Sequence, residues 1–330
     1  MTRLPATPAI PTIDLTRPAA AIGEQIDRAC CDLGFFLAVG HGVDLGLLGQ
    51  LERAARTFFA LPDARKEEIA MAHGGRAWRG WFPLGGELTS GIPDQKEGLY
   101  FGKELARSDP RVAAGTPLHG PNLFPAEPPE LRRAVLDTIS ALTRVASDVL
   151  AAMAAGLGLA PEWFATNLTA DPTILFRIFR YPPAAGEWGV REHTDYGLVT
   201  VLAHDGRPGL QVHGRDGWID VAAPREAFVV NLGDMLETLT ARRWRSTLHR
   251  VRNLGNRDRL TFPLFCDPSW DATVVPLPIA APTRERGGPP RARWDAADPL
   301  AWSGTYGEYL TAKVKKVFPG LGGPATHRPS

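Results

Sequence analysis

Glu192-His193-Thr194-Asp195-Tyr196-Gly197 is the stretch on which the reading of this chain turns. His193 and Asp195 stand two residues apart, so on an extended strand their side chains leave the same face and converge. His249, in Leu248-His249-Arg250-Val251 on a second strand-like run, supplies another imidazole. Two imidazoles and one carboxylate are the donor set that holds a non-haem Fe(II) on one face and leaves its other positions open, and the same donors also suit zinc. Beyond His249 a turn-like Asn253-Leu254-Gly255-Asn256 precedes Arg259-Leu260-Thr261-Phe262-Pro263-Leu264-Phe265, which reads as the return strand of a hairpin. On that reading Arg259 lies near the level of His249 and shares a face with Thr261. A buried guanidinium beside a hydroxyl suits a carboxylate held bidentately.

These residues belong to a longer ordered series. His193 to Leu202, Gly209-Leu210-Gln211-Val212, Trp218-Ile219, Val230-Asn231-Leu232-Gly233-Asp234 and Ser246-Thr247-Leu248-His249-Arg250-Val251 resemble, in order and spacing, the isopenicillin N synthase-like group of Fe(II)/2-oxoglutarate oxygenases. The resemblance implies that His193, Asp195 and His249 are iron ligands and that Arg259 with Thr261 binds the C5 carboxylate of 2-oxoglutarate. It also implies that Tyr181, in Arg180-Tyr181-Pro182-Pro183, helps to bind this co-substrate. Thr261 stands where Ser is usual and keeps the hydroxyl; Phe179 stands where many plant members have Asn. The implied cofactors are Fe(II), 2-oxoglutarate as co-substrate and O2. The implied reaction oxidises a small organic molecule, with hydroxylation favoured, and releases succinate and CO2. Two other readings stay open: a 2-oxoglutarate-independent oxidative cyclase of the isopenicillin N synthase type, and a non-redox metal-binding β-barrel protein or zinc hydrolase.

The rest of the chain is read around this core. Short alternating runs between Gly, Pro, Asn and Asp from Thr173 to about Leu277 have the texture of an all-β sandwich or barrel. With the resemblance, this becomes a double-stranded β-helix, or jelly roll, in a mainly β chain with flanking helices. The expected division is an N-terminal non-haem dioxygenase region over 8–125, supporting helices over 126–170, the catalytic jelly roll over 171–280, and a C-terminal helix and tail over 281–330. Apolar residues at helical spacing predict helices over Ala19 to Leu33 and Leu45 to Ala60. A longer helix is predicted from Pro129 to Gly156, with its Leu, Val and Met stripe turned to the core. A last helix begins at Tyr306, and Gly320 to Ser330 is expected to fray.

Residues 76–101 mix glycines with aromatic and charged residues. They are read as a substrate-facing lid carrying Arg79, Trp81, Phe82, Glu97 and Tyr100. Arg242-Arg243-Trp244-Arg245 is read as a solvated loop, and His41 between two glycines as a structural turn residue. A net charge of +1 with no long basic run leaves no footprint for nucleic acid. Three cysteines, Cys30, Cys31 and Cys266, make no disulfide framework or zinc spacing. Without a recognisable targeting segment or a stretch read as membrane-spanning, the chain is expected to be a cytoplasmic monomer that meets a small-molecule substrate and no membrane.

Overall fold

In the computed structural model, which describes residues 10–89, 91–183, 187–254, 256–279 and 302–317, the alternation of the second half resolves into two facing sheets. The chain runs through β1 (Thr12–Asp14), α1 (Ala19–Asp32), β2 (Phe35–Val39), α2 (Leu45–Phe59), α3 (Asp63–Glu67), β3 (Gly80–Phe82), β4 (Leu88–Thr89), β5 (Ile92–Pro93), β6 (Glu97–Gly102) and α4 (Pro110–Ala113). It continues through α5 (Glu130–Gly156), α6 (Trp163–Asn167), β7 (Pro172–Tyr181), β8 (Trp188–His193), β9 (Val199–His204), β10 (Leu210–His213) and β11 (Trp218–Asp220). The last elements are β12 (Phe228–Leu232), α7 (Asp234–Leu239), β13 (His249–Arg252), β14 (Arg259–Ser269) and α8 (Tyr306–Val317). The major sheet has the order β1-β2-β12-β9-β14-β7-β6-β3, and the minor sheet β11-β10-β13-β8. This is the expected jelly-roll core, widened by strands from the first hundred residues.

Period-two alternation gives the major sheet two different faces. On β14, Leu260, Phe262, Leu264 and Cys266 are almost wholly buried and belong to the large apolar core. The matching residues of β7 and β9, Phe176, Ile178, Val201 and Ala203, join them, and α5 packs on β9 and β14. Helix α5 starts after Pro129, which suits the first turn because proline has no N–H to leave unpaired. By length and composition it could cross a bilayer, contrary to the expectation that no stretch could; its apolar stripe is instead spent on the sheet and on α1 and α2. The crossing of α1 and α5 is close because Gly23 and Gly156 meet there: a Cβ on Gly23 would lie 2.7 Å from the Gly156 nitrogen. The opposite face of the sheet looks across to the minor sheet. Phe35, Tyr181, Val190, Leu210, Val229 and Val251 form a second, smaller core between the two.

Three expectations are corrected here. The predicted hairpin from His249 to Phe265 does not form: β13 pairs with β8 and β10, whereas β14 pairs with β7 and β9. The chain crosses between sheets, so His249 and Arg259 approach the interior from opposite walls. Residues 80–82 and 97–102 are not a lid; β3 pairs with β6 and β6 with β7, as part of the major sheet. The Arg242–Arg245 run is not merely solvated either. Trp244 is fully buried and its Nε1 donates to Asp27 at 2.8 Å, while Arg243 binds both oxygens of the same carboxylate at 3.0 Å.

His41 fulfils the structural role expected of it, with Nε2 2.9 Å from the Glu226 carbonyl and its ring stacked on Phe228. All three cysteines are free. The frayed tail expected over Gly320 to Ser330 lies outside the described residues.

Candidate metal and co-substrate site

The two histidines are set opposite each other by sheet register. His193, the last residue of β8, is the direct antiparallel partner of His249, the first residue of β13. Their ring centroids are 4.2 Å apart, and Asp195, two residues past the end of β8, completes a group whose donor atoms all lie within 4.8 Å of one another. Each imidazole has its Nδ1 against a backbone carbonyl, that of Arg191 for His193 (2.8 Å) and that of Thr247 for His249 (3.1 Å). Those contacts place the proton on Nδ1 and turn the Nε2 lone pairs toward Asp195. The Asp195 carboxylate is polarised in the complementary way. Its Oδ2 accepts from the Thr200 hydroxyl (2.5 Å) and the Asn231 amide (2.7 Å), while Oδ1 faces the two Nε2 atoms at 4.0 and 3.7 Å. Burial, followed by the neighbouring His249, pushes the His193 pKa down to about 3, so the ring is neutral. Burial alone would raise the Asp195 pKa; the two imidazoles, Thr200 and Asn231 outweigh it and lower it. The result is two imidazole nitrogens and one carboxylate oxygen aimed at a common point, the donor set a divalent cation needs.

The cavity between the sheets, about 190 Å³, is lined by this group and by residues of both sheets. Arg259, Thr261 and Tyr181 form one part of its wall. Arg259 is the register partner of Tyr181, its Cζ lies 5.1 Å from the Tyr181 ring, and its Nε donates to the Arg207 carbonyl at 3.2 Å. Its Nη1 and the Thr261 hydroxyl are buried without any hydrogen-bond partner. Two orphaned donors on one cavity wall are costly unless an acceptor fills the space between them. A carboxylate has the shape and charge to do so.

The wall also includes Tyr100, Arg177, Leu175 and Phe265, Glu87 to Thr89 on the first strand of the β4–β5 hairpin and just before it, and Leu310 and Val314 of α8. Of the five residues read as substrate-facing, only Tyr100 lines the cavity. Arg79 is turned away into carbonyls of Lys103, Leu118 and Gly120 and the side chain of Asn122. Trp81 donates its Nε1 to Glu97 at 3.0 Å, and Glu97 also binds Lys66 and Arg180, which ties α3 to the sheet. Phe82 packs edge-on to Tyr100 and Phe179 behind the wall. These four hold the sheet edge together, because β3 and β6 are sheet strands and present that face to packing.

Sequence reasoning assigned no role to Thr200 and Asn231, which orient Asp195, or to Arg177. Arg177 was within reach of the alternation: counting back by twos from Tyr181 gives Phe179, Arg177 and Leu175, and all four line the cavity.

Comparison with known proteins agrees with this geometry. Residues 10–127 match the family profile described as non-haem dioxygenase in morphine synthesis N-terminal, and residues 172–268 match the 2OG-Fe(II) oxygenase superfamily profile. A Dictyostelium discoideum protein named "probable iron/ascorbate oxidoreductase" is 41% identical over 91% of this chain and 90% of its own length. The Arabidopsis thaliana homoarginine-6-hydroxylase 2-ODD-C23.1 is 31% identical over 91% of this chain and 90% of its own length. Among solved structures, a 2OG-Fe(II) oxygenase family protein of Caulobacter crescentus superposes with a TM-score of 0.78 at 25% identity, covering 94% of this chain and 100% of that one. A structure of JOX2 with 2OG, Fe and JA superposes with a TM-score of 0.69 at 26% identity, covering 83% of this chain and 80% of that one. With both halves of the chain matched in order and the donor set in place between the sheets, the protein is an enzyme of the 2OG-Fe(II) oxygenase superfamily, whose members use Fe(II), 2-oxoglutarate and O2.

Proposed function

We propose that this chain is a 2-oxoglutarate-dependent dioxygenase that hydroxylates a small organic molecule, with His193, Asp195 and His249 holding Fe(II) and Arg259, Thr261 and Tyr181 holding the distal carboxylate of 2-oxoglutarate. The observation that carries the reading is the pair of orphaned donors, Arg259 Nη1 and Thr261 Oγ1, opening into the same cavity as the converged triad. When bound there, iron, co-substrate and dioxygen supply the oxidising chemistry, with 2-oxoglutarate leaving as succinate and CO2. The protein's own part is positional. The Arg191 and Thr247 carbonyls fix the tautomer of the two imidazoles, and Thr200 with Asn231 holds one Asp195 oxygen so that the other is presented singly. Val190, Leu202, Leu210 and Val251 line the cavity and keep water from the reacting end of the co-substrate. Tyr181 stays a neutral phenol because burial raises its pKa, so it can donate to an anion beside Arg259.

Hydroxylation is the outcome named for the Arabidopsis relative. The test is an anaerobic titration of the Fe(II)-loaded protein with 2-oxoglutarate. A visible charge-transfer band that saturates, and succinate formation on admitting air, are the expected results. Neither band nor succinate would overturn the reading and favour the oxidative-cyclase alternative.

A further inference from the structure

We propose that Arg177 is the anchor for an anionic group of the molecule that is oxidised, and that this molecule is a small carboxylic acid. The inference rests on the oxygenase reading of the site, and it concerns the part of the cavity wall made by β6 and β7.

Three arginines in the described structure are deeply buried: Arg79, Arg177 and Arg259. Arg79 lies outside the cavity and is saturated by three carbonyls and an amide oxygen. The other two line the cavity, and among the described residues neither has a carboxylate within ion-pairing distance. For Arg259 the missing anion is the co-substrate. Arg177 shows the same deficit at a second place. Arg177 and Tyr181 are four positions apart along β7, roughly 13 Å at strand spacing. The adjacent inward position, Leu175, pairs with Phe265, and Phe265 pairs with Thr200, the residue that clamps Asp195. Arg177 therefore stands one inward row from the level of the triad, and two inward rows short of the Arg259–Tyr181 pair.

Its immediate surroundings hold the guanidinium, and Glu87 and Asp267 attract it, but neither carboxylate pairs with it directly. The Cζ lies 3.5 Å from the centre of the Tyr100 ring and 6.0 Å from that of Phe265, and Nη1 donates to the carbonyls of Phe101 (3.1 Å) and Phe176 (3.2 Å). Glu87 has direct partners of its own. It accepts the Tyr100 hydroxyl at 2.5 Å and pairs with Lys96 at 2.9 Å, and Lys96 in turn binds Asp94 at 2.6 Å. A guanidinium carries five N–H donors in a planar fork; here one nitrogen is placed on protein carbonyls and the Tyr100 side chain is a further partner, which leaves part of the fork for another acceptor. The fork matches a carboxylate, and stacking on Tyr100 fixes its plane. The neighbouring wall, Leu175, Phe265, Leu310 and Val314, is apolar, which suits a hydrocarbon body attached to that acid.

The experiment is a binding survey of the full-length protein loaded with a redox-inert divalent ion and 2-oxoglutarate. Its probes are small mono- and dicarboxylic acids, each paired with its primary amide, and bound ligand is quantified by equilibrium dialysis. Wild type is expected to bind one or more acids at least about tenfold more tightly than the matching amides, the size of one charge-assisted contact. Arg177→Gln is expected to abolish that difference and Arg177→Lys to keep part of it, with 2-oxoglutarate binding unchanged in both. Equal binding of acids and amides by wild type, or no acid bound at all, overturns the proposal. So does an Arg177→Gln protein that loses 2-oxoglutarate instead, since Arg177 would then serve the co-substrate. Failure of wild type to bind 2-oxoglutarate in the same dialysis would indict the oxygenase reading itself, a distinguishable result.

Discussion

The two faces of the major sheet are made by the same strands and do opposite things. On β14, Leu260, Phe262, Leu264 and Cys266 turn to the helices and carry no charge; Arg259, Thr261 and Asp267, one step out of phase, turn to the cavity. Strand β7 repeats the arrangement, with Phe176 and Ile178 behind and Arg177 and Tyr181 in front. A strand cannot shift by one residue without exchanging these sets, so the apolar face fixes the register that aims the polar one. Stability and chemistry are thus separated by parity. Substitutions on one face are expected to leave the property of the other intact.

The largest effect expected on the cavity side is loss of the metal. His249→Ala leaves two donors of the three, so iron content after reconstitution should fall to background and turnover should vanish, while the thermal midpoint of the metal-free protein changes little. Elemental analysis and calorimetry on one preparation decide the matter, and full iron occupancy in this variant would remove the proposed centre. On the helix side the counterpart is Leu264→Ala. A fully buried leucine against α5 should cost about 2–5 kcal/mol of stability, read from denaturant midpoints, with 2-oxoglutarate affinity unchanged at temperatures where the protein stays folded. A large loss of co-substrate affinity at full foldedness would show that the two faces are coupled.

A smaller effect sharpens the comparison within the cavity face. Arg259→Leu removes a charge-assisted contact worth about 1.5–3 kcal/mol, so 2-oxoglutarate should bind at least about tenfold more weakly. Iron content should stay at the wild-type level, because Arg259 does not touch the triad. Isothermal titration of the metal-loaded protein separates the two, and unaltered 2-oxoglutarate binding would relocate the co-substrate.

Parity was also what made the site legible in the sequence. The spacing of His193 and Asp195, and that of Arg259 and Thr261, carries its meaning in period two and needs no knowledge of the fold. Pairing does not: alternation says which side chains share a face but not which strand lies alongside. That is why His249 and Arg259 read as a hairpin and proved to lie on facing sheets. The glycines of residues 76–101 misled in another way. Gly98 falls within the stretch read as a lid, yet it sits in β6 with the Phe82 ring so close that a Cβ would come within 2.7 Å of it; the glycine makes room for packing and does not loosen the chain. Trp244 and Asp27 are 217 residues apart, and nothing local to Arg242–Arg245 announces a buried anchor.

The finest test of the separation is Asp267, the acid of the cavity face. Burial pushes its pKa up to about 7, against the opposing pull of the Tyr306 hydroxyl, which donates to Oδ2 at 2.6 Å, and of the Leu198 backbone N–H. The folded protein therefore keeps a proton that the unfolded chain releases near pH 4. A raised folded-state pKa gives stability that is fully present below the unfolded value and is lost as pH rises through the folded one, so the decline should fall between about pH 4 and pH 7. Asp267→Asn keeps an oxygen for Tyr306 and cannot ionise. Across this window the wild-type melting temperature, measured with chelator present, should fall relative to that of Asp267→Asn, by at most about 1.4 kcal/mol of stability per pH unit. Parallel profiles would mean that Asp267 is already ionised in the folded state. The cavity face would then hold a buried anion close behind the triad, and the division between a neutral scaffold and a charged working surface would reach one residue deeper into β14.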